Sequence, residues 1–489
     1  MKVPLISFLS LFLLGSSLLA EEITLRQVQP RDHVPRGDWW SVYGDAKLDS
    51  LIREASAANQ NIRMAVFRFD QARATARIAR SEFFPTVDLG AAATHQSFSG
   101  NTVVPFDPNG RIFSGWNYDV PLDLSYEVDL WGRVRLSHQS AVQDAASTAA
   151  LMQNVLLSVQ AEVAQNYFRL RAIDAEIASM QRAVTLLSES HQIALTKQKA
   201  GTATDFDVTR AAAELASQRV ELSSLQAQRD PLKNAIALLT GRKAQSFTIA
   251  AEANKIPPVP VVPKSVPSDL LERRPDIAAT ERALAASLSR LKVAKLAGYP
   301  SLRLTANTGV VSGDLSNLFA LGSEKWVIGP VLSIPIFSGG RDKANMEAQR
   351  AAADIALAQY RQAVLTAFAE VDNSLSAVGR YQEQLTFQRE ALDQAEKSLQ
   401  LAKTRYDSGV GLYVELLDSE RNAIRSQRLL HQLRGQHLIA SVTLIKAMGG
   451  GWNQKMPTVI PELKADPASQ TENAPPPKKN FFQRLFTKG

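Results

Sequence analysis

Strict alternation of apolar and polar residues marks the thirteen-residue segment from Trp116 to Val128. Its even-numbered positions are apolar or aromatic and read Trp116, Tyr118, Val120, Leu122, Leu124, Tyr126 and Val128. A period of two predicts a β-strand with one apolar and one polar face, and this strand is longer than the usual five or six residues. Because Trp116 and Tyr126 stand near its two ends, about 33 Å apart, the pattern is typical of a strand that crosses an outer membrane as part of a barrel. We therefore predict that six side chains face lipid: Trp116, Tyr118, Val120, Leu122, Leu124 and Tyr126.

A helical pattern follows this strand without interruption. No Gly or Pro occurs from Val134 to Ala200, and as one helix this segment is about 100 Å long. A helix of that length needs parallel neighbours to bury its apolar positions, as in a coiled coil or a helical barrel. Gly201 and Gly409 suit the left-handed position that ends a helix, so each long helix is predicted to turn there into an antiparallel partner.

The second half of the chain repeats the first. Arg341 lies 208 positions after Arg133, and Gly409 lies 208 positions after Gly201. One constant offset over more than 100 residues is a strong repeat signal. The predicted organisation is a first repeat at 21–255 (a helix, a β-hairpin at 86–130 and long helices at 134–240), an extended linker at 256–267, and a second repeat at 268–460 (a helix, a hairpin at 301–337 and long helices at 341–448).

The two ends of the chain differ from these repeats. Residues 1–20 begin with one Lys, continue with an apolar stretch and end with small residues. This order predicts a secretory signal peptide, and the alternative is a short membrane anchor. Residues 461–489 are rich in Pro and polar residues, which predicts a disordered tail.

Composition narrows the possible functions. The absence of Cys excludes disulfides, thiolate metal sites and a lipidated N-terminal Cys. The net charge of +7 is explained by alternating charges on helix faces, so nucleic acid is not an expected partner. Phosphate loops, nucleophile elbows and zinc helix motifs do not occur. We therefore expect neither enzyme activity nor a cofactor.

Four strands cannot close into a barrel, and open strand edges are not tolerated in lipid. Several chains must therefore share one barrel, and three chains supply twelve strands. The predicted fold class is an α+β membrane protein whose trimer forms a 12-stranded β-barrel continued by an α-helical barrel. Such an object is a conduit across the outer membrane and the periplasm.

Four motifs carry a family resemblance. They are Asp38-Trp39-Trp40 with Leu48 and Leu51, the run from Tyr126 to Val134, the run from Leu270 to Ile277, and the run from Pro335 to Arg341. With them the chain resembles the TolC/OprM-like outer-membrane channels of tripartite efflux pumps, in the nodulation-type lipoprotein subgroup. The resemblance implies a homotrimer that exports small toxic compounds and drugs, together with a periplasmic adaptor and an inner-membrane pump, expected to be proton-driven. Because this chain lacks the lipidated Cys of that subgroup, the barrel alone must hold it in the outer-membrane lipid.

The far helix turns are the predicted gate. Asp207, Tyr406, Glu415 and Asp418 match the family's aperture lock, and a hydrogen bond from Tyr406 to Asp207 is the expected closure. A purely structural role is equally compatible with the sequence, because Thr204 and Asp207 fit a capping box and Glu415 falls in a first helical turn. The expected adaptor contacts lie at the turns themselves: Gly201, Thr202, Gly409 and Val410.

Two other functions remain open from the sequence. A protein-export channel of the type I secretion class would share the architecture and differ in its partner, an ATP-driven transporter. A periplasmic coiled-coil adaptor or structural protein would share the helices but not the amphipathic strands.

Overall fold

The computed structural model describes residues 37–97, 114–252, 256–260 and 273–450. The predicted signal peptide, most of the linker and the Pro-rich tail lie outside the described residues. The described helices are α1 (Ala46–Ala58), α2 (Gln60–Ser81), α3 (Arg133–Lys199), α4 (Asp205–Leu239), α5 (Pro275–Lys295), α6 (Arg341–Asp407) and α7 (Tyr413–Ala447). The described strands are β1 (Thr86–Leu89), β2 (Ala92–Ser97), β3 (Ser114–Val128), β4 (Ser301–Ser312) and β5 (Glu324–Ser333).

One antiparallel sheet joins the strands of both repeats. Strand β3 pairs with β1 and β2 along one side and with β4 along the other, and β4 pairs with β5. The register places Leu122 of β3 opposite Leu89 of β1 and opposite Thr308 of β4. The long strand of the sequence pattern is thus the centre of the sheet, with neighbours from its own chain on both sides.

Two strand predictions need correction. In the hairpin predicted at 86–130, the first strand is not continuous but is interrupted between β1 and β2, opposite Pro121. The Gly90 N–H still donates to the Pro121 carbonyl at 2.8 Å, but proline has no N–H to return the bond. The hairpin predicted at 301–337 ends earlier than expected, because β5 stops at Ser333 and Pro335 cannot donate to a ladder.

The long helices reproduce the duplication. Helices α3 and α6 each contain 67 residues, and α4 and α7 each contain 35. Gly201 and Gly409 adopt φ values of +74° and +76°. After them, the Thr202 N–H donates to Lys197 O at 2.9 Å and the Val410 N–H donates to Arg405 O at 3.1 Å. Both turns therefore close with the same left-handed Schellman cap, which satisfies carbonyls at the helix end.

The helix expected before the first strand is in fact two helices. It breaks at Asn59, whose side chain accepts hydrogen bonds from the backbone N–H groups of Asn61 and Ile62 and so starts α2. The Asn59 amide also donates to Leu239 O at 2.9 Å, which ties the break to the end of α4. A side-chain cap with a tertiary contact overrides the continuous apolar spacing.

The main core lies halfway along the long helices. A short 3₁₀ helix, Trp39–Tyr43, and helix α1 pack there against α3, α4 and α7. Trp39 donates to the Gln160 side chain at 3.1 Å, and the hydroxyls of Tyr43 and Ser441 are 2.7 Å apart. In the described part of the chain, no helix is both long and apolar enough to span a membrane.

Candidate functional site

The sheet has one apolar and one polar face. The pairing register aligns Val120 with Val310, Leu124 with Ala306 and Tyr126 with Leu304. In β5, Trp326, Ile328 and Leu332 fall on the same face by their pairing with β4. All six side chains predicted to face lipid share this face, because alternate residues of β3 point the same way.

Charged and amide side chains occupy the opposite face. Lys325 pairs with Asp119 at 2.5 Å, and the Asn307 amide donates to Asp123 at 2.5 Å. Where β3 meets α3, Arg133 makes two hydrogen bonds to Glu127, each 2.8 Å long. These contacts are made by charged and amide groups, which suits a surface that faces water.

The sheet ends in open edges within one chain. Neither the outer side of β1 and β2 nor the outer side of β5 is paired among the described residues. The apolar side chains of β5 are also uncovered, with Trp326 73% and Ile328 70% exposed. Unpaired backbone groups beside an apolar face are not stable in lipid, so each edge requires another strand.

Asp129 sets the corner between the sheet and the helical region. Its carboxylate accepts hydrogen bonds from the backbone N–H groups of Val134 and Arg135, each 3.0 Å long. These are donors that the first turn of α3 leaves unsatisfied. The Trp131 ring N–H donates to Pro300 O at 2.7 Å, which fastens the corner of one repeat to the other repeat.

The predicted gate residues lie together at the far turns, but not with the expected bond. Asp207 accepts hydrogen bonds from the Thr204 backbone N–H at 3.1 Å and from the Thr204 hydroxyl at 2.8 Å. Among the described residues of this single chain, no hydrogen bond joins Asp207 to Tyr406. The Tyr406 ring instead lies 5.5 Å from the Tyr413 ring, with Lys197 Nζ 3.9 Å from its centroid. Within one chain, Asp207 therefore completes the capping box at the start of α4.

The acidic residues of the second turn form ion pairs. Glu415, in the first turn of α7, lies 3.7 Å from Arg405, and Asp418 lies 3.9 Å from Arg210 of α4. All four groups are partly exposed, so each pair contributes at most about 1 kcal/mol.

A ladder of charges between α4 and α7 was missed from the sequence. Arg421 binds Glu214 with an Nε–Oε2 distance of 2.7 Å, and Arg428 binds Glu221 at 2.5 Å. Glu214 and Glu221 are one heptad apart, as are Arg421 and Arg428, and this spacing is the signal that could have predicted the ladder. The Arg421 contact lowers the pKa of the Glu214 carboxyl despite burial, which raises it.

Glu420 stands beside this ladder and forms no ion pair with any described residue. Its side chain is buried, one oxygen is 3.4 Å from the Ser190 hydroxyl, and Oε2 has no hydrogen-bond partner. Burial raises the pKa of Glu420 to about 7. The protonated form of this carboxyl is therefore substantially populated near neutral pH.

A second buried network, near the main core, was also missed. Asp174 is fully buried and accepts from Arg171 at 3.1 Å and from Arg229 at 2.6 Å. Arg171 and Arg229 also donate to the carbonyls of Ala250 and Ile249. One carboxylate thus holds two arginines that fix the segment after α4 against the helices. Among the described residues, His, Asp and Glu form no cluster suited to a metal ion.

An amphipathic sheet with open edges, continued by helical hairpins about 100 Å long, defines a class of protein: one chain of an oligomeric channel of the outer membrane. The comparisons with known proteins agree. The outer membrane efflux protein family model matches residues 51–242 and 266–450, and the chain belongs to this family.

Relatives of this chain include outer membrane proteins of efflux pumps. The toluene efflux pump outer membrane protein TtgI of Pseudomonas putida is 34% identical over 415 residues, which cover 84% of this chain and 87% of the relative. The outer membrane protein OprJ of Pseudomonas aeruginosa is 31% identical over 427 residues, covering 86% and 88%.

Solved channels share the fold. The outer-membrane channel OprN superposes with a TM-score of 0.80 at 28% identity, covering 87% of this chain and 96% of that one. The outer membrane protein VceC of Vibrio cholerae gives 0.76 at 26% identity, covering 86% and 99%. The predicted fold class is confirmed: this protein is an outer-membrane efflux channel with a β-barrel and an α-helical barrel.

Proposed function

We propose that three copies of this chain form the passive exit duct of a tripartite pump that exports small toxic compounds. The observation that supports this most directly is the pair of open sheet edges beside an uncovered apolar face. Pairing β5 of one copy with β1 and β2 of the next completes every ladder and closes the barrel. The apolar face then contacts lipid and the polar face lines the pore.

The substrates and energy source follow from the relatives. Their names refer to toluene, solvents and antibiotics, and this supports small organic compounds as the cargo here. The chain itself binds no cofactor in this proposal, so the energy comes from an inner-membrane, proton-driven pump through a periplasmic adaptor. The adaptor contacts the turns at Gly201, Thr202, Gly409 and Val410, all of which are exposed in the single chain.

The gate lies at the same end. Three copies bring Asp207, Glu415 and Asp418 together as rings, and carboxylate rings favour cations and narrow a pore when they are bonded across helices. Tyr406 of one copy closes the ring against a carboxylate of the next, since it makes no such bond within its own chain.

Single-channel conductance in a planar bilayer tests the gate. A variant with Asp207→Ala and Tyr406→Phe should conduct more than the parent and lose cation preference. Thr204→Ala is the matched control, because it breaks the same capping box and leaves the carboxylate in place. Conductance that is unchanged in the double variant, or raised equally in the control, would leave Asp207 with the capping role alone.

Export is tested in cells that lack their own outer-membrane efflux channels. Expression of this chain with a matching adaptor and pump should restore growth in the presence of toluene. Restored secretion of a protein substrate without solvent tolerance would favour the type I secretion function instead.

A further inference from the structure

A cavity of about 430 Å³ lies away from the pore-lining sheet and the gate, beside the main core. Helix α6 contributes Arg389, helix α7 contributes Arg434 and His437, and the segment 256–260 covers one side. The volume is in the range of small-molecule sites, which run from about 300 to 1,000 Å³.

The two arginines in this cavity have no anion. Neither Arg389 nor Arg434 makes a hydrogen bond or an ion pair to any residue that the structure describes, and the described residues that line the cavity include no acidic one. This separates them from Arg171, Arg274 and Arg421, each of which is bound to a carboxylate. Burial and the charge of Arg389 both lower the pKa of Arg434. Arg434 is half-buried and Arg389 is exposed. A partly desolvated guanidinium that faces a like charge is favourably compensated by an anion.

His437 adds a third unsatisfied group. It is 5% exposed, and its Nε2 has no hydrogen-bond partner. Burial and the charge of Arg389 lower the pKa of His437, so the ring is neutral at neutral pH and keeps one N–H donor. The polar side of the cavity therefore offers donors from three side chains.

Apart from Gln382, the remaining wall is apolar. It comprises Ile256, Pro257, Pro258 and Val259 of the covering segment, with Leu385 and Leu438 of the helices. A cavity that combines a cationic side with an apolar side suits an anion that carries a hydrocarbon body, and a free inorganic ion would leave the apolar side empty.

We propose that this cavity binds a small organic anion, with its carboxylate or phosphate between Arg389 and Arg434 and its apolar part against the prolines of 256–260. The planar guanidinium groups bind either anion through paired N–H donors. Because the covering segment forms one wall, a bound anion joins this segment to α6 and α7. The site is separate from the conduit function and does not depend on it.

Fluorine NMR on the full-length trimer in a non-ionic detergent tests the proposal. The probes are 4-fluorobenzoate and 4-fluorophenyl phosphate, and 4-fluorobenzamide is the neutral control. At least one anion should bind while the amide does not, and the comparison identifies the preferred head group. Binding should weaken as salt rises, because the contact is between charges.

Three variants locate the site. Arg434→Gln should weaken anion binding at least tenfold, and His437→Phe, which removes the ring N–H groups, should weaken it several-fold. Arg380→Gln is the matched control, since it removes the same charge from α6 at an exposed position outside the cavity, and it should bind like the parent.

Two results would overturn the proposal. One is the absence of anion binding by the parent trimer, or equal binding of the amide. The other combines two observations: the parent trimer binds no anion, and Arg434→Gln makes the trimer less stable. Together they would mean that a carboxylate of a neighbouring copy fills the cavity.

Discussion

Replacing Gly309 by Ala should destabilise the barrel through a single methyl group. Gly309 of β4 lies opposite Pro121 of β3, and a Cβ placed on it would be 2.1 Å from Val120 O and 2.9 Å from Pro121 Cα. Both atoms belong to the backbone of β3, so no side chain can rotate away. The two strands must separate locally, by roughly 1 Å, to restore ordinary contact distances.

The size of the effect follows from the hydrogen bonds that flank this position. Stretching two ladder bonds costs about 1–3 kcal/mol each where the groups are left unsatisfied, and lipid offers no water to replace them. We expect a loss of roughly 2–5 kcal/mol per chain. Heating the trimer in detergent and following its dissociation by gel electrophoresis should show a clearly lower midpoint.

Gly115→Ala supplies the control. Gly115 is likewise a strand residue, in β3, but a Cβ there meets nothing within 4 Å. Alanine in an unstrained strand position is neutral or slightly stabilising, because glycine loses more conformational entropy on folding. Equal dissociation midpoints for Gly309→Ala and Gly115→Ala would refute the close-approach argument.

Three further predictions concern the helices and the apolar face. Asp174→Ala should cost about 3–5 kcal/mol by removing the buried carboxylate that Arg171 and Arg229 share, measured by thermal denaturation followed with circular dichroism. Asp230→Ala, at an exposed position of α4, should cost under about 1 kcal/mol. Glu420 retains its proton in the folded state up to about pH 7 but loses it near 4.5 when unfolded. The free energy of unfolding should therefore fall by roughly 3 kcal/mol as pH rises between these values, and Glu420→Gln should remove this dependence in hydrogen exchange of α7. Leu122→Arg should cost about 2–4 kcal/mol per chain if it faces the lipid midplane, measured by refolding into lipid vesicles.

Each of these three has a contradicting result. An Asp174→Ala variant as stable as the Asp230→Ala variant would show that the arginines find other partners. A pH dependence that persists in Glu420→Gln would assign the titration to another group. Normal insertion of Leu122→Arg would place its face of the sheet on the water side.

The sequence alone predicted those elements whose residue pattern is local, such as a regular period or a run without Gly and Pro. Alternation from Trp116 to Val128 predicted β3, and the constant offset of 208 predicted two helical hairpins, which have equal lengths in the structure. These features follow from periodicity and from the absence of Gly and Pro, which act locally.

Other features depend on partners distant in sequence. The gap between β1 and β2 is caused by Pro121 of another strand, and the break at Asn59 is supported by Leu239. In the same way, Arg389 and Arg434 are far apart in the sequence. That no described carboxylate reaches them is visible only once α6 and α7 are packed. Contacts of this kind require the register between elements, which composition and spacing do not contain.

The equal helix lengths limit how this protein can change in size. Because α3 and α6 contain the same number of residues, as do α4 and α7, both turns lie at the same depth. Deleting seven residues from one long helix would raise its turn by about 10 Å and move its charges out of register with the other hairpin. A shorter or longer duct therefore requires matched insertions or deletions in all four helices. The lengths of the four helices can change only together.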